Sequence, residues 1–216
     1  IIPGTAMDIP TIEALSFTRA VSEAVEDALS ACADFEAFYG QVKRNIVGQA
    51  DELCERVKNV YLFPAPFVSL MMEGCTENAA DISEGCHYNN YGFHGTGIAT
   101  AADSLAAIKK YVFEEKRVDA EELKRALARD FEGDEALCNL LRWEAPKMGN
   151  DDDYVDGIAC RLVADFADAL QGRKNDRGGI FGAGTCSAMY YVWQAKVMPG
   201  TPDGRDKGEG LGCNYS

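Results

Sequence analysis

Four short segments bring together residue types that can do chemistry. In His94-Gly95-Thr96-Gly97 an imidazole sits beside glycines, just before an apolar periodic stretch that begins at Ile98. A helix start offers backbone N–H groups to an anion, so the segment suits a pocket for a polar or negatively charged group, while the same glycines also suit a tight turn around a structural His. Arg177-Gly178-Gly179-Ile180-Phe181 carries a guanidinium fork that can grip a carboxylate, phosphate or sulfonate, with an aromatic ring four residues on. Gly74-Cys75-Thr76-Glu77 sets a thiol two residues from a carboxylate, a pairing that serves hydrogen-atom and proton transfer or merely ends a helix. Pro202-Asp203-Gly204-Arg205 reads first as a turn.

Apolar spacing marks the elements that must hold these segments. Residues 11–33 repeat at helical intervals through Leu15, Phe17, Ala20, Val21, Val25, Ala28 and Leu29, and Phe35 to about Val60 does the same. Phe63-Pro64-Ala65-Pro66 breaks that pattern, and a short helix is expected from Phe67 to about Cys75. Residues 78–97 are polar and glycine-rich and read as a loop. Amphipathic helices are expected from Ile98, after Asp119 with Glu122 three residues on, over 134–142, and from the acids at Asp151–Asp153 through Leu170. Residues 186–197, rich in Tyr, Val and Trp, read as a strand. One or two strands cannot close a sheet, so the helix-rich α/β chain is expected to be a piece of a larger architecture.

Composition excludes several functions. The 216 residues hold 21 basic and 35 acidic side chains, a net charge of −14, which leaves no footprint for nucleic acid or for an anionic membrane surface. No apolar run reaches the length of a membrane span, and Ile1-Ile2-Pro3-Gly4 resembles no signal peptide. The eight cysteines are widely and irregularly spaced, with no CxxC pair and only two His, which argues against a metal site and for reduced thiols in a cytoplasm.

Four blocks in order then resemble one family. Asp103 to Lys110 resembles the helix after the glycine-rich loop in glycyl radical enzymes of the pyruvate formate-lyase type. Ala145-Pro146-Lys147-Met148-Gly149-Asn150-Asp151-Asp152-Asp153-Tyr154-Val155-Asp156 is similar to that family's A-P-K-[YF]-G-N-D-D-x-Y-V-D stretch, with Met148 in place of the aromatic. Arg177-Gly178-Gly179 and Pro202-Asp203-Gly204-Arg205 match two further blocks, and the likeness covers roughly residues 35–213.

The resemblance implies that residues 1–216 are part of a ten-stranded α/β barrel, cut from its later half. It implies a glycyl radical and a thiyl cysteine loop that both lie outside the chain, since Gly74-Cys75-Thr76-Glu77 aligns instead with a later D-G-C-x-E-[RK]-G-x-D block. No catalytic residue and no metal is therefore assigned. It implies substrate contacts at His94, where arylacetate decarboxylases of the family carry a carboxylate and many dehydratases a Gln, and at Arg177 and Phe181, whose spacing matches residues of the isethionate sulfite-lyase branch. The expected parent is an oxygen-sensitive homodimer that cleaves a C–X bond of a small anionic substrate after a radical S-adenosylmethionine enzyme activates it. Cleavage of a sulfonate's C–S bond is the leading expectation. Dehydration of a diol or hydroxyproline, arylacetate decarboxylation, and a non-catalytic scaffold derived from the family are the alternatives.

Overall fold

The computed structural model describes residues 6–185 and 190–212. Its centre is a three-stranded parallel sheet in the order β1 (Ile9–Ser16), β2 (Tyr91–Thr96), β3 (Phe181–Thr185). Parallel neighbours need long crossovers, and the helices provide them. Between β1 and β2 run α1 (Phe17–Ala28), α2 (Phe35–Arg56) and the single turn α3 (Pro66–Ser69). Between β2 and β3 run α4 (Ile98–Ala107), α5 (Ala120–Ala128), α6 (Glu135–Asn139) and α7 (Asp153–Leu170), with π-helical turns extending α4 and α6. A last helix, α8 (Tyr190–Val197), follows β3.

Side-chain caps set several helix starts. Ser16, Asp34, Asp119 and Asp152 each accept a backbone N–H of the first turn of α1, α2, α5 and α7. The apolar stripes of α1, α2, α4 and α7 then converge on one face of the sheet. Phe17 and Phe166 meet edge to face at 5.9 Å, and Tyr39, Ile46, Leu105 and Leu162 are sealed from water. One buried polar knot ties α2 to α7, where the Tyr39 hydroxyl and the Lys43 ammonium both donate to the Asp165 carboxylate.

Four expectations need correction. The helical spacing over 11–33 conceals β1, since the chain is extended to Ser16 and helical only from Phe17. The glycine-rich loop over 78–97 conceals β2 at its end. Residues 190–197 are helical instead of extended, because Ala195 packs inward and Gln194 meets the Thr96 hydroxyl; the remainder of that stretch, 186–189, lies outside the described residues. The short helix expected from Phe67 to Cys75 shrinks to α3 and a run of turns.

Candidate functional site

Register and period two divide the sheet into two unlike faces. Tyr91 pairs with Phe181, and Phe93 stacks on Phe181 with ring centroids 5.1 Å apart and planes 12° from parallel. This aromatic face lies under the helices. The opposite face carries Gly92, His94 and Thr96 of β2, Gly182 and Gly184 of β3, and Ala14 and Ser16 of β1. Parallel sheets are buried on both faces in folded proteins, yet this second face holds small side chains and one imidazole. Ser16 and Thr96 at one end of this face are buried, while Gly182 is exposed and His94 and Gly184 are half-buried.

His94 is the one titratable side chain that β2 turns to this face. Thr11 Oγ1 stands 3.0 Å from its Nδ1 and 3.1 Å from its Nε2. The anion-binding helix start expected after it is already occupied. Gly97 takes a left-handed conformation at φ 69°, where a Cβ would stand 2.3 Å from Thr18 Oγ1, and the N–H groups of Ala99 and Thr100 donate to the carbonyl of Gly212.

Arg177 sits elsewhere, at the N-terminal ends of the strands. Its Nε donates to Ser83 O, and its Nη2 donates to Met7 O and Asn89 Oδ1. Met7 precedes β1, Asn89 precedes β2 and Arg177 precedes β3, so one guanidinium ties the entries of all three strands. It is 92% buried by that packing, its Cζ lies 5.3 Å from the centre of the Tyr91 ring, and Nη1 has no partner among the described residues. The two glycines after it have separate reasons. Gly178 is left-handed at φ 79°, and a Cβ on Gly179 would come within 2.3 Å of Asn89 O. Phe181 packs into the aromatic face. The three residues singled out by sequence therefore do not converge: His94 looks out from one face, Phe181 lies under the other, and Arg177 closes the strand entries.

The other motif blocks are braces. Lys147 Nζ donates to Leu141 O and Asp203 O, and burial holds its ammonium below the usual lysine range. Arg205 is likewise buried, and its guanidinium binds Thr201 Oγ1 and the carbonyls of Pro199, Asp206 and Glu209. The A-P-K and P-D-G-R blocks thus lock to each other.

Cys75 does not suit a thiol that must reach a substrate. It is buried in a small separate cluster with Ile82 and Cys86, its Sγ 3.7 Å from Cys86 Sγ, and Glu77 is spent accepting the Gly74 N–H. Among the described residues no group of three or more His, Cys, Asp and Glu is arranged to hold a metal, and no helix is long and apolar enough to cross a membrane.

Sequence reasoning missed Thr11 and Gly184. The signal was present in Phe181-Gly-Ala-Gly-Thr185, whose alternate glycines mark a strand with one bare face, but it is weak without the partner strands.

A family model described as pyruvate formate lyase-like matches residues 19–195. Trans-4-hydroxy-L-proline dehydratase of Clostridioides difficile is 33% identical over 174 residues, which is 79% of this chain and 22% of that protein. Isethionate sulfite-lyase of Bilophila wadsworthia is 37% identical over 154 residues, 66% of this chain and 18% of the relative. A solved structure concerned with 1,2-propanediol dehydration in Roseburia inulinivorans superposes with a TM-score of 0.90 at 26% identity, over 99% of this chain and 30% of its own. The chain thus spans between about a fifth and a third of the length of the proteins it matches.

Proposed function

The chain belongs to the pyruvate formate lyase-like family of glycyl radical enzymes, and we propose from that premise that residues 1–216 form part of the barrel wall of an oxygen-sensitive radical lyase, one that eliminates a hydroxyl from a small polar substrate. The observation that carries this reading is the small-residue sheet face on which His94 stands. The glycyl radical, borne outside this chain, supplies hydrogen-atom abstraction through a cysteine thiol. What these residues contribute is a wall that leaves room for substrate and an imidazole aimed into that room.

The chemistry of the leaving group favours dehydration. Hydroxide leaves only if it is protonated on departure, and imidazole is the side chain best matched to deliver a proton near neutral pH. Sulfite departs as a stable anion and needs no proton. Cleavage of a sulfonate such as isethionate remains the second reading, on the strength of the Arg177-Gly-Gly-x-Phe181 spacing and the sulfite-lyase relative. In that reading the free Nη1 of Arg177 is what remains to meet a sulfonate, because Nε and Nη2 are engaged. Activation by a radical S-adenosylmethionine enzyme, assembly as a homodimer and a cytoplasmic setting complete the proposal. The cysteines among the described residues are free, which suits that setting.

The test is turnover by the activated full-length protein of propane-1,2-diol, trans-4-hydroxy-L-proline and isethionate. Dehydrated product, with a fall of about a hundredfold in His94→Ala, supports the first reading. Sulfite release that is lost in a stably folded Arg177→Ala variant supports the second. A folded, activated protein that turns over none of the three would point to the non-catalytic scaffold.

A further inference from the structure

The small-residue face ends against α8. Gln194 of that helix meets Thr96, the last residue of β2, and lines a groove of about 200 Å³ with Ala14, Ser16, Arg19, Glu52 and Arg56. Ala14, Ser16 and Thr96 share their sheet face with His94, so the groove borders the surface on which the imidazole stands.

Thr96 holds the Gln194 amide by one end. A hydroxyl has one proton, and the nearer of its two acceptors is Gln194 Oε1, at 2.5 Å against 3.0 Å for Leu15 O. That contact uses the carbonyl half of the amide. Nε2 has no hydrogen-bond partner among the described residues, so its two N–H donors remain to be met. The charge around the groove indicates what would meet them. Its lining carries two Arg and one Glu, in a chain whose net charge is −14. Arg19 Nε is engaged by Glu23 at 2.7 Å, but Arg19 Nη1 stands 3.7 Å from Glu52 and Arg56 Nη1 stands 3.7 Å from Glu13, both beyond hydrogen-bond length. The groove thus offers donors and an excess of positive charge. Alternate residues of a strand stand about 7 Å apart, so His94 and the groove beside Thr96 can meet two polar groups of one small molecule, each through a hydrogen bond of about 3 Å.

We infer that Gln194 is a specificity-determining residue: its Nε2, within the positive lining of Arg19 and Arg56, receives a carboxylate, and the preferred substrate is a hydroxylated carboxylic acid over a neutral diol. The inference rests on the reading of the small-residue face as the substrate wall.

The experiment uses the full-length protein and a matched pair of probes, propane-1,2-diol and glycerate, in which a carboxylate replaces the methyl group of the diol. Trans-4-hydroxy-L-proline serves as a second carboxylate. Calorimetry on the unactivated protein reads affinity, and the activated protein reads kcat/KM. The parent is expected to bind one or both carboxylates about ten-fold more tightly than the diol. Gln194→Met keeps the length, removes the amide and should weaken the carboxylate about ten-fold. Gln194→Glu sets like charge against it and should weaken it about a hundred-fold. In both variants the carboxylate should lose about five-fold more than the diol, or better. A merely structural role would weaken all probes alike, and that result overturns the inference, as does a parent that prefers the diol. Arg56→Gln, on an exposed side chain, keeps the test open should the Gln194 variants fold poorly. It should cut the preference for the carboxylate about three-fold, and an unchanged preference there overturns the inference. The two ideas separate: full turnover in His94→Ala, beside carboxylate binding that still depends on Gln194, removes the reading of His94 alone, whereas lost turnover in His94→Ala, beside Gln194 variants that treat all probes alike, removes the role of Gln194 alone.

Discussion

Two places on the same three strands differ in how much freedom their polar groups keep. At the strand entries Arg177 gathers Ser83 O, Met7 O and Asn89 Oδ1 and lies buried against Tyr91. Three residues beyond Tyr91, on the opposite face, His94 has the Thr11 hydroxyl as its one polar side-chain neighbour among the described residues, set among glycines, Ala14 and Ser16. A cation beside a glycine pair is thus not by itself evidence of a substrate grip. Where every strand needs its entry tied down, a planar fork of five donors is the group that can bind several carbonyls at once. In parallel α/β architectures, stability resides at the N-terminal ends of strands, where Arg177 lies, whereas His94 stands within β2 between Ala14 and Gly184.

Stability and turnover, measured separately, distinguish the two places. The largest expected loss of stability is for Arg177→Ala, about 4 kcal/mol, since it orphans carbonyls at two strand entries; chemical denaturation of the full-length protein checks it, and a loss under about 1 kcal/mol would return Arg177 to the substrate. Phe181→Ala should cost about 3 kcal/mol by emptying its place against Phe93, again with unfolding as the readout. If it instead left stability intact and raised KM, the aromatic face would be the one that meets substrate.

Sharper still is the dependence on pH. Burial, with the neighbouring Cys75, pushes the Cys86 thiol up to about 11 from 9.0. A folded pKa above the unfolded one means stability that is complete below about pH 9 and is lost as pH rises toward 11. A melting curve followed over that window under reducing conditions should fall in the parent and fall less in Cys86→Ala. The smallest expected effect on stability is for His94→Ala, under about 0.5 kcal/mol, because the side chain is half-buried and, among the described residues, meets only the neutral Thr11 hydroxyl; the same variant should nonetheless lose most of its turnover.

Much of the helical layer was legible in the amino-acid sequence because helices announce themselves locally. Asp119 before Glu122 and the acids at Asp151–Asp153 mark caps that α5 and α7 use, and the repeat from Phe35 predicts α2 to within a few residues. The strands were concealed. β1 passes directly into α1 at Ser16–Phe17, so one apolar series runs across both elements. β2 and β3 are glycine-rich because one sheet face must stay small and because neighbours crowd the backbone: a Cβ on Gly92 would meet Pro10 O at 2.0 Å, and one on Gly95 would meet the Phe17 ring at 2.1 Å. Such glycines look like loop in isolation and like strand only with partners in place. α8 errs the other way, since Tyr, Val and Trp favour strands, yet the packing of Ala195 and the contact of Gln194 with Thr96 decide for helix. Within the site, His94 was visible as a residue type, and Arg177 and Phe181 were visible as a spacing. That they occupy different ends and faces follows only from register.

The most direct test of the central claim is the position of a bound hydroxylated substrate in a crystal of the full-length protein. Electron density is expected over the glycine face, with a substrate oxygen within hydrogen-bonding distance of the His94 imidazole and none on Arg177. Density seated on the Arg177 guanidinium, with His94 facing away from it, would contradict the account.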